Sequence, residues 1–183
     1  MVSFSHSARR IRVAVLGTVI GIFLPGLVFA SGMELESAGV RGGVSDNANF
    51  SQVEALVDWK LPWRWDFVSD WHLQTKLNCS LGWLGAEHRS AAVGTAGPAL
   101  QINYDQVPLN LEGGSSFTLL SRDTFGSRDL GSIVQFTTYV GLNWDITHRI
   151  RFGYRFSHMS NAGIDSTHND GLNMHMLALS YLF

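Results

Sequence analysis

The pattern that decides the fold is most regular at residues 149–160, which read RIRFGYRFSHMS. Ile150, Phe152, Tyr154 and Phe156 share one parity, whereas arginines occupy three positions of the other parity. Successive side chains of a β-strand point to opposite faces of the sheet. The segment therefore predicts a strand that has one apolar face and one charged face.

Similar alternation recurs along the chain and predicts about eight strands. The clear segments are 51–61, 65–77, 132–144 and 149–160; the weaker ones are 34–43, 91–103, 107–119 and 175–183. We expect short links at 60–64, 104–106 and 145–148, and longer polar links at 44–49, 84–90, 121–131 and 159–171. If these strands form an outer-membrane barrel, its short turns would be periplasmic and its longer loops outer, which would place both chain ends on the periplasmic side.

The composition excludes several classes of protein. Charged residues make up 15% of the 183 residues, below the roughly 25% of a typical soluble domain. The formal net charge of −2 argues against a nucleic-acid-binding protein. The aromatic and apolar content excludes a disordered chain. The single Cys79 can form neither an internal disulfide nor a zinc site, and we expect no metal or cofactor.

Two closed structures are compatible with alternating strands. A soluble sandwich or lipocalin buries its apolar face, whereas a membrane barrel turns that face toward lipid. We favour the membrane barrel because aromatic residues mark the ends of the apolar faces, as in an aromatic girdle: Trp59, Trp65, Trp144, Tyr181 and Phe183. A terminal Phe on an apolar strand also resembles the assembly signal of outer-membrane proteins. The predicted fold is an all-β, eight-stranded antiparallel transmembrane β-barrel of the bacterial outer membrane.

Residues 1–30 have the order of a secretory signal peptide. A basic start without acids precedes an apolar run at 13–29, and Val28-Phe29-Ala30 offers small residues at the −3 and −1 positions before Ser31. The alternative is an uncleaved anchor, but the run falls just short of the ~18–20 residues that span a bilayer. We expect residues 1–30 to be removed and residues 31–183 to form the barrel domain.

Residues that could carry chemistry lie where the seventh strand meets its loop. His158 and Ser160 share the parity of Phe156, so they continue the lipid-facing side. Polar side chains on a lipid face are costly without a function, and a His beside a Ser is the base and nucleophile of a hydrolase triad. The other interpretation is a polar pair in the interfacial zone, where water reaches. The spacing leaves both interpretations open.

Two runs at the C-terminal end resemble the PagL family of lipid A deacylases. They are RFSHMSNAGI at 155–164 and NDGLN at 169–173, and the shared signature is His-x-Ser-Asn-Ala-Gly followed by Asn-x-Gly. The resemblance implies an eight-stranded outer-membrane barrel that hydrolyses the ester-linked primary acyl chain at position 3 of lipid A.

The resemblance also implies the roles of the site residues. Ser160 would be the nucleophile and His158 the general base. Asn161, with N–H groups around Ala162 and Gly163, would stabilise the oxyanion.

One position departs from the family pattern. The acid that orients the base lies two residues after the Gly in the PagL enzyme, and this chain has Asn173 there. Asn173 could accept a hydrogen bond from His158, as in Cys-His-Asn proteases. Asp165 and Asp170, in the loop, are substitute acids.

The expected partners follow from the same resemblance. They are lipid A, or the lipopolysaccharide that contains it, and outer-membrane lipid, with no nucleic acid. Arg122 and Arg128, in the longest loop, are candidates for lipid A phosphate contacts, or else solvated loop residues. A homodimer is one oligomeric state that the sequence leaves open.

Two other functions also stay open. One is a non-catalytic structural or adhesive barrel of the OmpX type with a decayed site, which the missing carboxylate favours. The other is a lipid A acyltransferase that resembles PagP.

Overall fold

The computed structural model describes residues 32–67, 70–86, 88–164 and 171–183, so the predicted signal peptide lies outside the described residues. Its long strands are β1 (Glu34–Ser45), β2 (Ser51–Asp66), β3 (Trp71–Ala86), β4 (Arg89–Tyr104), β5 (Leu109–Leu120), β8 (Val134–Asp145), β9 (Ile150–Ser160) and β10 (Leu172–Leu182). Between β5 and β8, the short strands β6 (Thr124–Phe125) and β7 (Arg128–Asp129) form a hairpin of their own.

The eight long strands close into one antiparallel barrel. Each strand pairs with its neighbours along the chain, and β1 pairs with β10 to complete the ring. This arrangement confirms the predicted all-β, eight-stranded antiparallel fold. Within residues 32–67, 70–86, 88–164 and 171–183, no helix is long and apolar enough to cross a membrane.

The barrel has two ends, which we name by their connections. The loop end carries the links at 46–50, 87–88, 121–133 and 161–171. The turn end carries the links at 67–70, 105–108 and 146–149, together with Gly32 and Phe183.

The predicted turn at 60–64 is wrong. β2 continues through it to Asp66, and the three residues between Lys60 and Arg64 oppose only one residue of β3, Thr75, which makes a bulge. Pro62, which has no N–H to offer the ladder, lies in this bulge. Instead, β2 ends at Asp66 and β3 begins at Trp71, inside the segment 65–77 that the alternation predicts as one strand. Asp66 pairs with His72 across this connection, and because paired residues six positions apart have the same parity, the alternation cannot reveal the turn.

The long link predicted at 84–90 is also wrong. β3 extends to Ala86 and β4 begins at Arg89, so the connection is a tight one. His88 has a positive φ of 64°, which a tight turn requires. The expectation of a long link failed because polar residues do not always mark a loop. Here the polar residues at the strand ends are paired within the sheet.

The outer surface of the barrel is apolar, as the membrane interpretation requires. Exposed aromatic residues gather at the turn end: Trp63, Trp65, Phe67, Trp71, Trp144, Tyr181 and Phe183. Four of the five predicted girdle residues are among them, whereas Trp59 is half-buried. Large exposed apolar side chains continue toward the loop end, as at Leu81 and Trp83. A soluble barrel would bury these side chains.

The interior holds a charged cluster that is closed to solvent. Lys76 is 0% exposed, and its Nζ lies 2.8 Å from Glu36 Oε2 and 2.9 Å from Glu112 Oε2. Arg155 Nη2 lies 2.9 Å from Glu112 Oε1, and Arg151 Nη1 lies 3.1 Å from Glu36 Oε1. An eight-stranded barrel is just wide enough for side chains to fill it, so inward charges on neighbouring strands meet and pair.

The interior changes character at the loop end, where it becomes apolar. Buried side chains there form one hydrophobic cluster that includes Phe50, Leu84, Val93, Leu120, Phe125, Met159, Leu172 and Met174. Met159 lies between His158 and Ser160 in the chain, and Leu172 lies between Gly171 and Asn173. The buried Met159 and Leu172 side chains fix the ends of β9 and β10. Their neighbours along each strand therefore face outward.

The charged cluster generates a stability prediction. Lys76→Met should lower the free energy of unfolding by about 3–5 kcal/mol, because it leaves buried carboxylates without their shared cation. The measurement is the urea unfolding midpoint of the barrel in detergent. Lys60→Met is the matched control, since Lys60 pairs across the strands with Lys76 but is exposed. Equal midpoints for the two variants would contradict the prediction.

Candidate active site

A polar pair lies on the outward face of the barrel at the loop end. His158 on β9 stands opposite Asn173 on β10, and His158 Nδ1 lies 2.8 Å from Asn173 Oδ1. The His158 side chain is exposed and Asn173 is half-buried. The structure thus brings together two residues of the predicted triad that are 15 positions apart.

Strand pairing explains why the two side chains meet. The N–H of Asn173 points away from β9 and donates to Asn47 Oδ1 at 3.1 Å. Asn173 and His158 are therefore a non-hydrogen-bonded pair, the type in which Cα atoms approach to about 4.5 Å and side chains lie closest.

The hydrogen bond also selects a tautomer for His158. A carboxamide oxygen only accepts, so the proton shared with Asn173 Oδ1 belongs to Nδ1 of the neutral imidazole. The Nε2 atom then carries a lone pair. A histidine in this state can take a proton from a hydroxyl group through Nε2.

Ser160 lies two residues beyond His158, at the last position of β9. The two residues share the outward face, and Ser160 is half-buried. The two side chains are neighbours on that face, but no hydrogen bond joins Ser160 Oγ to the His158 ring within the described residues. Nucleophile and base are often loosely spaced before substrate binds.

The chain leaves β9 through a turn at 161–164. Ile164 N–H donates to Asn161 O at 3.1 Å, and Ala162 and Gly163 have φ values of 53° and 74°. Positive φ at both central residues is the signature of a type I′ turn. Alanine in this conformation costs about 1–2 kcal/mol, which indicates that the surroundings impose the turn.

Asn161 holds this turn together. Its side chain is 0% exposed, and its Oδ1 accepts the N–H of Gly163 at 2.9 Å. In this structure the Gly163 N–H is therefore directed at Asn161. The N–H of Ala162 has no partner among the residues that the structure describes.

Gly171 packs directly against the His158 ring. It has a φ of 52°, and a Cβ atom built on it would lie 2.6 Å from His158 Cε1 and 3.2 Å from Nε2. Such a contact is shorter than side chains tolerate, so only glycine lets the backbone lie against the imidazole. The sequence signature contains this glycine, but the pattern gives no sign of its contact with the ring.

A second polar row lies next to the first on the outward face. Tyr154 Oη lies 2.7 Å from His175 Nδ1, and His175 Nε2 lies 3.4 Å from Asp46 Oδ2. The Phe156 ring packs against His175, with centroids 5.1 Å apart. Sequence reasoning missed this row, because Asp46 comes from the first loop. Barrel closure, which places β1 beside β10, is the signal that could have found it.

The remaining candidate residues have different surroundings. Arg128 is half-buried, and its Nη2 donates to Gly171 O at 3.3 Å. Arg122 is exposed on the same long loop. Asp165 and Asp170, the substitute acids, lie outside the described residues. Apart from residues 1–31, 68–69, 87 and 165–170, the chain has no group of three or more His, Cys, Asp or Glu side chains placed to hold a metal.

Fold and site together define a class of protein. It is the transmembrane β-barrel whose polar groups gather on the outward surface at one end, where a lipid headgroup would lie. The family model described as "Lipid A 3-O-deacylase (PagL)" matches residues 51–182, and the chain belongs to that family. Membership in this family and the apolar outer surface place the barrel in the bacterial outer membrane.

Individual relatives agree with this membership. The lipid A deacylase PagL of Bordetella bronchiseptica (strain ATCC BAA-588 / NCTC 13252 / RB50) is 38% identical over 73 residues, which are 40% of each chain. The alignment thus spans less than half of that relative. The crystal structure of the outer membrane enzyme PagL superposes with a TM-score of 0.70 at 18% identity, over 79% of this chain and 97% of that one. The superposition shows the shared fold.

Proposed function

We propose that this protein is a lipid A deacylase, a serine esterase that hydrolyses the 3-O-linked primary acyl chain of lipid A. The observation that carries the proposal is the His158–Asn173 hydrogen bond of 2.8 Å on the outward face, two residues from Ser160. The pair lies in the part of the chain that the family model matches. An esterase needs a nucleophile beside an oriented base, and these three residues supply that set.

The position of the site suits a membrane substrate. Three of the four links at the loop end are longer than any link at the turn end, and outer-membrane barrels turn their longer loops toward the exterior. Ser160, the last residue of β9, then lies where the outer leaflet passes from acyl chains to headgroups. The ester bonds of lipid A occupy this boundary. A substrate could reach the site by lateral diffusion, without leaving the membrane.

The proposed reaction follows from the tautomer of His158. Ser160 Oγ attacks the ester carbonyl carbon, and its proton passes to His158 Nε2. The tetrahedral intermediate collapses, the bond to the sugar oxygen breaks, and His158 returns the proton to that oxygen. Water then attacks the acyl-serine with His158 as base, which releases the fatty acid and restores Ser160.

The turn after Ser160 would stabilise the oxyanion. We assign the N–H of Ala162 as one donor, because it follows the nucleophile closely and has no partner among the described residues. The Asn161 carboxamide and the Gly163 N–H are the other candidates, as the family resemblance implies. Their mutual hydrogen bond of 2.9 Å would have to open before Gly163 donates to substrate.

Asn173 has a lesser role than a carboxylate would have. Its Oδ1 holds the Nδ1 proton of His158 and so fixes the ring orientation. A neutral oxygen stabilises the imidazolium of the transition state less than an anion does. We therefore expect catalysis with a rate below that of a site with a carboxylate at this position.

The first functional prediction concerns the nucleophile and base. Ser160→Ala and His158→Ala should each abolish deacylation, and the double variant should be little worse than either, because the two residues act as one unit. The measurement is mass spectrometry of lipid A from cells that express each variant. Ser157→Ala is the matched control, because Ser157 is a buried serine on the inward face of the same strand.

Each outcome separates the candidate functions. Loss of one 3-hydroxyacyl chain with wild type and Ser157→Ala, but not with Ser160→Ala, supports the deacylase. Unchanged lipid A with every variant would indicate a non-catalytic barrel. Gain of an acyl chain would indicate an acyltransferase.

The second functional prediction concerns Asn173. Asn173→Ala should lower the rate less than Ser160→Ala does, because it removes an orienting group but no reacting atom. Asn173→Glu should match or exceed the wild-type rate near neutral pH, because a carboxylate stabilises the adjacent imidazolium. The measurement is the deacylation rate against pH for the three proteins in one detergent.

The contrary result is equally definite. An Asn173→Ala variant as active as wild type would show that Asn173 does not orient His158. A Ser-His dyad, or an acid from the 165–170 loop, would then carry the reaction.

A further inference from the structure

We propose that Asn47, in the loop between β1 and β2, is a positioning residue for His158. The inference rests on the proposed function and adds a member to its site. Nothing in the family signature points to Asn47, which lies 126 positions before Asn173. The geometry that carries the proposal is a pair of hydrogen bonds to the segment that opens β10.

Asn47 holds this segment with both atoms of its carboxamide. Its Nδ2 donates to Gly171 O at 3.3 Å, and its Oδ1 accepts the N–H of Asn173 at 3.1 Å. Ser45 Oγ lies 2.9 Å from the same Oδ1 and ties the side chain back to the end of β1. The partners fix the orientation of the amide, because its donor faces a carbonyl and its acceptor faces N–H and O–H groups.

The side chain of Asn47 extends a ladder that the backbone of β1 cannot continue. Ser45, the last residue of β1, pairs with Met174 on β10. Beyond that pair, the Gly171 carbonyl and the Asn173 N–H face the β1 side, and the Asn47 side chain meets both. Asn47 supplies a donor and an acceptor at the spacing that a strand would offer. Arg128 adds a second donor to the Gly171 carbonyl.

The clamped segment carries the groups that set the His158 ring. Gly171 packs against the imidazole ring, and Asn173 Oδ1 lies 2.8 Å from Nδ1. A shift of this segment would move the ring away from Ser160 without changing any reacting group. Misplacement of catalytic groups by about 1 Å lowers rates by up to ~100-fold. Asn47 therefore acts on the chemical step and has no contact of its own with the reacting atoms.

The test uses two substitutions and two matched controls. Asn47→Ala removes the hydrogen bonds to the Gly171 carbonyl and from the Asn173 N–H. Asn47→Asp keeps the acceptor but puts a carboxylate against the Gly171 carbonyl. Asn49→Ala and Asn49→Asp are the controls, because Asn49 is exposed in the same loop and makes no hydrogen bond within the described residues. The full-length barrel is assayed in detergent for kcat, KM and unfolding midpoint with purified lipid A.

We expect both Asn47 variants to lower kcat by about 10- to 100-fold. Their KM should stay within about twofold of wild type and their unfolding midpoints unchanged, and the Asn49 variants should match wild type in all respects. Wild-type kcat in Asn47→Ala, or an equal loss in Asn49→Ala, would overturn the inference. So would a loss confined to KM.

A double-mutant cycle separates positioning from a general effect on structure. If Asn47 and Asn173 both act by orienting His158, the loss in the double alanine variant is smaller than the product of the single losses. Independent multiplication of the losses would overturn the inference. The two proposals also fail differently. Wild-type protein inactive on lipid A overturns the function and the inference together, whereas an active wild type with a fully active Asn47→Ala overturns the inference alone.

Discussion

Closure of the barrel between β1 and β10 is the contact on which the site depends. It joins the first and last strands over nine consecutive residue pairs, from Ser37–Leu182 to Ser45–Met174. Because of this closure, the first loop lies beside the segment that opens β10. Asn47 and Asp46 can then reach Asn173 and His175, which are more than 120 positions later in the chain. An open sheet with the same sequence could not assemble this site.

The inward and outward faces of the strands have different roles, because alternate side chains along each strand point to opposite faces. Inward residues near the turn end place Lys76 among carboxylates, and inward residues near the loop end pack into an apolar cluster. The outward residues are mainly apolar, and the polar row lies where β9 and β10 approach the rim. Met159 and Leu172 are buried, with 4% and 0% exposure, and their outward neighbours carry the polar row. The packed interior thus provides the rigid support for groups that face lipid.

Much of the fold could be predicted from alternation alone, because a membrane barrel requires it in every strand. The eight strands and the apolar outer face follow from that pattern, and His158 and Ser160 follow from the parity of β9. The pattern failed between β2 and β3, where the paired residues Asp66 and His72 have the same parity, so that both strands continue one alternation. It also could not reveal the contacts of Asn47 and Gly171, because these depend on pairing between distant strands and on a left-handed backbone that leaves no periodic trace.

The claim that Ser160 is an activated nucleophile can be tested directly by covalent labelling. The folded barrel in detergent is incubated with a long-chain alkyl fluorophosphonate, and the modified residue is identified by peptide mass spectrometry. The account predicts one adduct on Ser160 that is lost in His158→Ala, because an unactivated serine hydroxyl is a weak nucleophile. An unmodified Ser160 in protein that deacylates lipid A, or equal labelling with and without His158, would contradict it.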